Sequence, residues 1–494
     1  MDAFLAGRCH LDFAVQPEWY QLRPADPRTV SARTIHGPRK LNKITPDPDR
    51  YTARWWHMCI QGTVLAMVLL TGPNIPRADV GLLLLLALSS VFYFFAAGKG
   101  RDGFAALQKE RWLWAVLLGF SLYLPLNALW APNPQAALLK AATFILVFLF
   151  AILLAATFRR QRDGEIARIG KVIVWAGVIG AALAGFEFVA GHPLREAIYT
   201  AWPFTRPGNN EITVYALKDG ELVPVLESEF RRRLEQVRIV IDPSGNNRNA
   251  TMVMLLAWPL LLLAANQTGL FARRAAVLAI GGASALAVVF SSSQTAQIAL
   301  VLSMAAFLAA SFLPRLTHNV IVGLWCIATL LAVPLAAAPY ALNLHKAGWI
   351  FFTARDRISI WGYTARQIPK APVFGTGIRS TRVLSKKLLK TLRREPGDTA
   401  PPVRLGRHSH NHYLQIWYEL GAVGAVLFLL AGLVILRKLR VMAPGVRPYA
   451  TAGFVAACAI AAFGWGLWQT WLLAGYSLSA ILLAFAARFA ATRR

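Results

Sequence analysis

The residues with the most chemical reach lie in one stretch, HSHNHYLQIWYE, from His408 to Glu419. His408, His410 and His412 alternate, so in an extended chain they would share a face and could bind zinc. No carboxylate or cysteine accompanies them, and the cations nearby oppose a dication, which makes a neutral histidine acting as a base the better fit. A dense positive field disfavours imidazolium and leaves the ring able to accept a proton near neutral pH. Asn411 is of the type that caps a helix, and Gln415 and Glu419 follow at spacings of four, placing three polar groups on one side of it. An ionisable Glu419 inside an apolar run must face a partner or a water-filled cavity rather than lipid.

Cations supply the second set of candidates. Arg248 stands in SGNNRNATM, where three asparagines and a glycine make an unusually polar start to an apolar run. It could reach a ligand at the membrane surface, or snorkel to headgroups. In ARDRISIWGYTARQIPKAPVFGTGIRS, Arg355, Arg357 and Trp361 open an amphipathic segment that could alternatively lay its basic face on anionic phospholipid. Gly375-Thr376-Gly377 turns the chain but lacks the Lys-Ser/Thr of a nucleotide-phosphate loop. Asp47-Pro48-Asp49 matches the DxD of metal-dependent sugar transferases, a match expected by chance in a polar tail.

The elements that must position these residues are membrane spans. The chain has 494 residues, 56% hydrophobic and 15% charged, too apolar for a soluble protein of this length. Apolar runs fall at about 56–72, 79–97, 112–130, 136–157, 170–190, 249–265, 272–291, 294–313, 318–339, 412–436, 448–469 and 471–488. The expected fold is therefore an all-α polytopic membrane protein of about twelve transmembrane helices. Alternate short connections carry basic clusters such as Arg159, Arg160, Arg162, Arg168 and Lys171, whereas 73–78, 131–135 and 292–293 are nearly free of them. The positive-inside rule then puts both termini in the cytoplasm and the two long loops outside.

That topology divides the chain into a tail at 1–54, spans at 55–190, a loop at 191–248, spans at 249–339, a loop at 340–411 and spans at 412–494. The first loop reads as a hairpin around Asp219-Gly220 followed by a charged helix through Phe230–Arg233. The second carries fourteen basic residues against three acidic ones, an excess that the positive-inside rule does not explain on the outer side. With a net charge of +28, this points to an anionic ligand or lipid headgroups before nucleic acid. Cys9, Cys59, Cys326 and Cys458 show no CxxC spacing, which indicates neither a disulfide framework nor a zinc ribbon.

Three pieces of the carboxyl half resemble the O-antigen ligase family: NNRNATMVMLLAWP at 246–259, RISIWGYTARQIPKAPVFGTG at 357–377 and HNHYLQIWYELGAVG at 410–424. The resemblance implies a GT-C-like membrane glycosyltransferase with a helical periplasmic loop region. Such an enzyme inverts the anomeric centre, needs no cofactor or metal, and moves a glycan from undecaprenyl pyrophosphate to lipid A-core at the periplasmic face of the bacterial inner membrane. It assigns the essential histidine to His410 and the pyrophosphate-binding arginines to Arg248 and to Arg357, with Arg355 close behind. The cations suit a leaving pyrophosphate, and His410 suits the acceptor hydroxyl. Trp361 and Asn411 support the site; Gln415 and Glu419 either orient it, with Glu419 paired to an arginine, or join helices structurally. A repeat-unit polymerase and a protein O-oligosaccharyltransferase are relatives with the same kind of donor. A lipid-linked oligosaccharide flippase would instead spread charge along a mid-membrane path and repeat its halves, and neither pattern is present.

Overall fold

The computed structural model describes residues 111–201, 246–389 and 404–493, a short helix at Met58–Met67, three strands between 212 and 241, and isolated positions between 69 and 86. In chain order its helices are α1 (Met58–Met67), α2 (Arg111–Ala128), α3 (Pro134–Phe158), α4 (Asp163–Val189), α5 (Pro193–Ala201), α6 (Asn247–Ala265), α7 (Leu270–Val289) and α8 (Gln294–Phe312). There follow α9 (Pro314–Leu330), α10 (Ala332–Ala341), α11 (Phe352–Gln367), α12 (Ser380–Leu389), α13 (His412–Arg440), α14 (Arg447–Phe463) and α15 (Thr470–Ala491).

Polar residues at the helix starts make the local choices legible. Asn133 accepts from the Ala136 N–H with Pro134 at the first position of α3, and Ser293 accepts from the Ala296 N–H at the start of α8. Helix α6 is the axis of the bundle: from Asn249 to Pro259 every residue is buried, beneath α4, α7, α8, α14 and α15. Outer helices turn Leu139, Trp175, Leu278, Val301 and Leu324 outward. Such a surface has a favourable environment only in lipid, and seven described helices are long and apolar enough to cross a bilayer. The chain is an all-α, multi-pass membrane protein with one small sheet.

Three expectations are changed by the coordinates. The run at 318–339 is not one straight span: α9 and α10 meet at a 70° bend, and counting the pair as one span raises the total among the described residues to eight. Pro334, three residues past the break, lacks the N–H that would continue the α9 ladder. The run at 448–469 is helical only to Phe463, with Gly464–Gln469 an irregular crossing between α14 and α15. Gly464 and Gly466 have little helical propensity, and the site uses the backbone that the break releases. The loop at 191–248 contains the expected strands, β1 (Ile212–Lys218) and β2 (Glu221–Pro224), antiparallel with Lys218 opposite Glu221. It also contains α5 and a third strand, β3 (Val237–Ile241), which pairs with the other edge of β1. The helix expected through Phe230–Arg233 and the tail at 1–54 with its Asp47 and Asp49 lie outside the described residues.

Five contacts gather the loops of one end of the bundle: Arg195 donates to Asn246, Ser292 to Asn247, Thr295 to the Phe463 carbonyl, Lys140 to Thr470 and Trp130 to the Gly375 carbonyl. The candidate residues sit at this end. At the opposite end Arg488 donates to Asp163 and to the Gln161 carbonyl, and α13 finishes in Arg437, Lys438 and Arg440.

Candidate functional site

The frame of the site is a deliberate break in α13. Gly421 lies inside this helix at φ 63° and ψ −162°, so the i→i−4 ladder is interrupted there. The segment 371–378 takes up the released groups. Thr376 and Gly377 donate their N–H groups to the Tyr418 and Glu419 carbonyls at 2.9 and 3.0 Å, and the Ala422 and Val423 N–H groups donate to the Pro372 and Val373 carbonyls. No side chain fits at either contact: a Cβ on Gly421 would stand 2.4 Å from the Val373 oxygen, and one on Gly375 2.4 Å from the Glu419 backbone. From α2, Tyr123 donates to the Phe374 and Leu420 carbonyls, while Asn127 donates to the Phe374 carbonyl and accepts from the Ile378 N–H. The Tyr418, Glu419 and Leu420 carbonyls and the Ala422 and Val423 N–H groups thereby find partners, as a buried helix interruption requires.

The polar stripe of α13 lies on the half that this splice fixes. Asn411 caps the helix by accepting from the Leu414 N–H at 3.0 Å. Gln415 accepts from the Leu467 N–H and donates to Glu419. Glu419 is fully buried; its two oxygens accept from the backbone N–H groups of Arg379 and Thr381, the Thr381 hydroxyl, the Trp468 indole and the Gln415 amide. The donor from Arg379 is its backbone N–H and not its guanidinium, which corrects the expectation of a paired arginine side chain. Five hydrogen bonds spread the carboxylate charge and fix two segments, 379–381 and the 464–469 crossing, to α13.

The crossing at 464–469 is the part of the site that sequence reasoning missed. The Gly464 carbonyl meets Nδ1 of His410 at 3.0 Å, Trp465 lies under the Arg248 guanidinium at 5.4 Å, and Gly466 leaves room for His408, whose Cβ would stand 2.7 Å from an added methyl. Leu467 and Trp468 reach Gln415 and Glu419. The available signal was the pair of glycines and the two tryptophans in GWGLW, a composition that otherwise reads as membrane span.

His410 occupies left-handed backbone, φ 53°, so the alternating extended face expected for the three histidines does not form. The His408 and His410 rings lie 4.0 Å apart, while His412 is the first residue of α13, buried against Tyr476. Because a carbonyl can only accept, the Gly464 contact puts the ring proton of His410 on Nδ1 and leaves Nε2 as its acceptor. Burial, and then the Arg357 charge, push the His410 pKa down to about 4, so the ring is neutral at neutral pH. Burial likewise disfavours the charged form of His408, with His410, Arg382 and Arg357 adding to it.

Helix α11 brings the arginines. Arg357 is the cation that acts on both histidines, and its own charge is partly desolvated. Trp361, one turn on, donates to the Ser409 carbonyl at 2.7 Å and so ties α11 to the histidine segment. Asp356 holds Arg404 at 3.0 and 3.2 Å. Arg355 takes a different course: its guanidinium lies 5.8 Å over the Phe352 ring. Arg248 starts α6 next to Asn246, which Arg195 of α5 holds, with Arg195 itself 3.9 Å from the buried Glu187. The structure therefore brings Arg248 and His410 to one crossing, sets Arg357 where its charge bears on His410, and leaves Arg355 over Phe352.

These features define a multi-pass membrane protein with a cation-rimmed histidine site at one end of its helices. One stretch, residues 250–429, matches the family described as O-Antigen ligase. It contains Arg355, Arg357, His410 and Glu419 and begins two residues after Arg248. Proteins that carry the provisional name polysaccharide ligase are similar to this chain in Rickettsia felis (28% identical over 120 residues), Rickettsia typhi (31% over 124) and Rickettsia prowazekii (29% over 127). Each alignment spans 24% of this chain and 29% of the relative.

Proposed function

We propose that the chain is an O-antigen ligase, transferring glycan from undecaprenyl pyrophosphate to lipid A-core at the periplasmic face of the bacterial inner membrane. The observation that carries the reading is the juxtaposition of a neutral His410, its Nδ1 committed to the Gly464 carbonyl, with Arg357 and Arg248. In the reaction the acceptor hydroxyl oxygen forms a bond to the anomeric carbon as the bond from that carbon to the pyrophosphate oxygen breaks. The hydroxyl proton passes to His410 Nε2, and attack opposite the leaving group inverts the centre. Arg248 and Arg357 take up the charge that grows on the departing pyrophosphate. Among the described residues no three His, Cys, Asp or Glu side chains are grouped to hold a metal ion, and proton transfer is the role that suits His410.

Donor binding also tunes the base. Arg357 contributes to the low pKa of His410, and a pyrophosphate paired with Arg357 offsets that contribution. His410 thus becomes a stronger base when the donor is seated, closer to the match with neutral pH that general-base catalysis favours. Asn411, Gln415 and Glu419 hold the histidine segment on α13, and Trp361 holds it to α11. Both termini are assigned to the cytoplasm, and residues 340–389 and 404–411 to the periplasmic roof.

The test is the lipopolysaccharide gel profile of a ligase-deficient Gram-negative strain supplied with matching donor and core. A long-chain ladder with this chain supports ligation. Carrier-linked chains that lengthen without reaching core would show a polymerase instead, and unchanged donor and core would return the transport reading.

A further inference from the structure

A second group of cations lies beside the proposed site, and its geometry is set by the carboxylate that anchors the splice. Glu419 accepts from the backbone of Arg379 and Thr381 on one side and from Trp468 on the other. Two residues beyond Trp468, Thr470 accepts from the Lys140 ammonium at 2.6 Å, which brings the outer end of α3 to the same place. Arg379 and Arg382 are the charges that act on Lys140, and Arg382 also acts on His408. Arg379 is held at φ 63°, a conformation that non-glycine residues seldom keep without support from their surroundings.

Three cations held together repel one another, and none of them is in an ion pair among the described residues. Glu419, whose charge bears on Arg379, is already filled by five donors. Lys140 keeps two N–H donors beyond the one given to Thr470, and Arg382 is exposed. Of the three, Arg382 bears on His408, whereas Arg357 bears on both histidines. A transfer between two anionic partners needs a place for each.

We infer that Lys140, Arg379 and Arg382 form a second oxyanion subsite, which takes a phosphate group carried by the acceptor while Arg248 and Arg357 take the donor pyrophosphate. This rests on the transferase reading in its assignment of the two roles; the oxyanion subsite itself does not. A phosphate on a saccharide and the phosphate of a lipid headgroup present the same oxygens, so the experiment separates them.

The full chain in neutral-lipid nanodiscs is titrated with phosphorylated core oligosaccharide and with the same oligosaccharide after phosphatase treatment. The expected result is preference for the phosphorylated form. Lys140→Gln with Arg382→Gln should abolish that preference, each lost cation weakening the phosphorylated probe about tenfold or more. Lys140→Arg should retain it, which guards against a folding defect, and Arg357→Gln should leave it in place while weakening inorganic pyrophosphate. Equal binding of the two oligosaccharides by the unmodified chain would overturn the subsite. So would a double variant that loses only affinity for phosphatidylglycerol vesicles, because the cluster would then be a headgroup anchor. Phosphate-selective binding that persists in a chain unable to transfer glycan would keep the subsite and sink the ligase reading alone.

Discussion

The two halves of α13 on either side of Gly421 come from one apolar run and do different work. Before the break, from His412 to Leu420, only Trp417 is not buried; the 371–381 turn and the 464–469 crossing match the polar stripe donor for acceptor, and α2 pairs the backbone carbonyls of Glu419 and Leu420. Beyond it the helix turns Val426, Leu430 and Ile435 outward and ends in basic residues. Composition makes a span; only the pairing of its backbone and polar groups makes part of it a platform for chemistry.

Perturbing the two halves should give effects of different size. Glu419→Ala leaves the Arg379 and Thr381 N–H groups and the Trp468 indole buried without an acceptor, at a cost of about 3 kcal/mol or more. Thermal unfolding in detergent should show it as the largest loss in the helix. Gly421→Ala puts a Cβ against the Val373 carbonyl in left-handed backbone and should cost about 1–3 kcal/mol, with protease cleavage appearing near 371–378 as the splice loosens. Val426→Ala, half exposed in the second half, should stay within about 0.5 kcal/mol by the same melt. A melt in which Val426→Ala equals Glu419→Ala would erase the distinction.

The pH dependence sharpens the contrast at the capped end. The folded-state pKa of His410, about 4, lies below its ordinary 6.5, so its neutral form contributes stability that is lost as pH falls from about 6.5 towards 4. The acid limb of kcat/KM for the free enzyme should sit in the lower part of that window. Arg357→Gln removes one of the two main causes of the shift and should move the limb upward, besides lowering the rate. An acid limb that stayed in place would mean that burial alone sets it.

What the sequence made legible follows from how local each feature is. The cap at Asn411, the stripe at Gln415 and Glu419, and the approach of α11 with Arg357 and Trp361 depend on residue type and helical spacing, and each is visible in a window of a few turns. The break at Gly421 was not, because its replacement hydrogen bonds come from residues about fifty positions earlier and from α2, nearly 300 away. The 464–469 crossing was hidden by its own tryptophans and leucine, which serve a membrane span equally well. Arg355 and Arg357 look interchangeable in sequence, and helical geometry separates them: two residues apart on α11 they point to different neighbours.

The most direct measurement is single-turnover glycan transfer in reconstituted vesicles by the unmodified chain and by His410→Ala, each first shown to melt alike. A base at His410 predicts a fall of about 10²–10⁴-fold in the chemical step with donor binding retained. Transfer at a near-normal rate by His410→Ala would contradict the central claim.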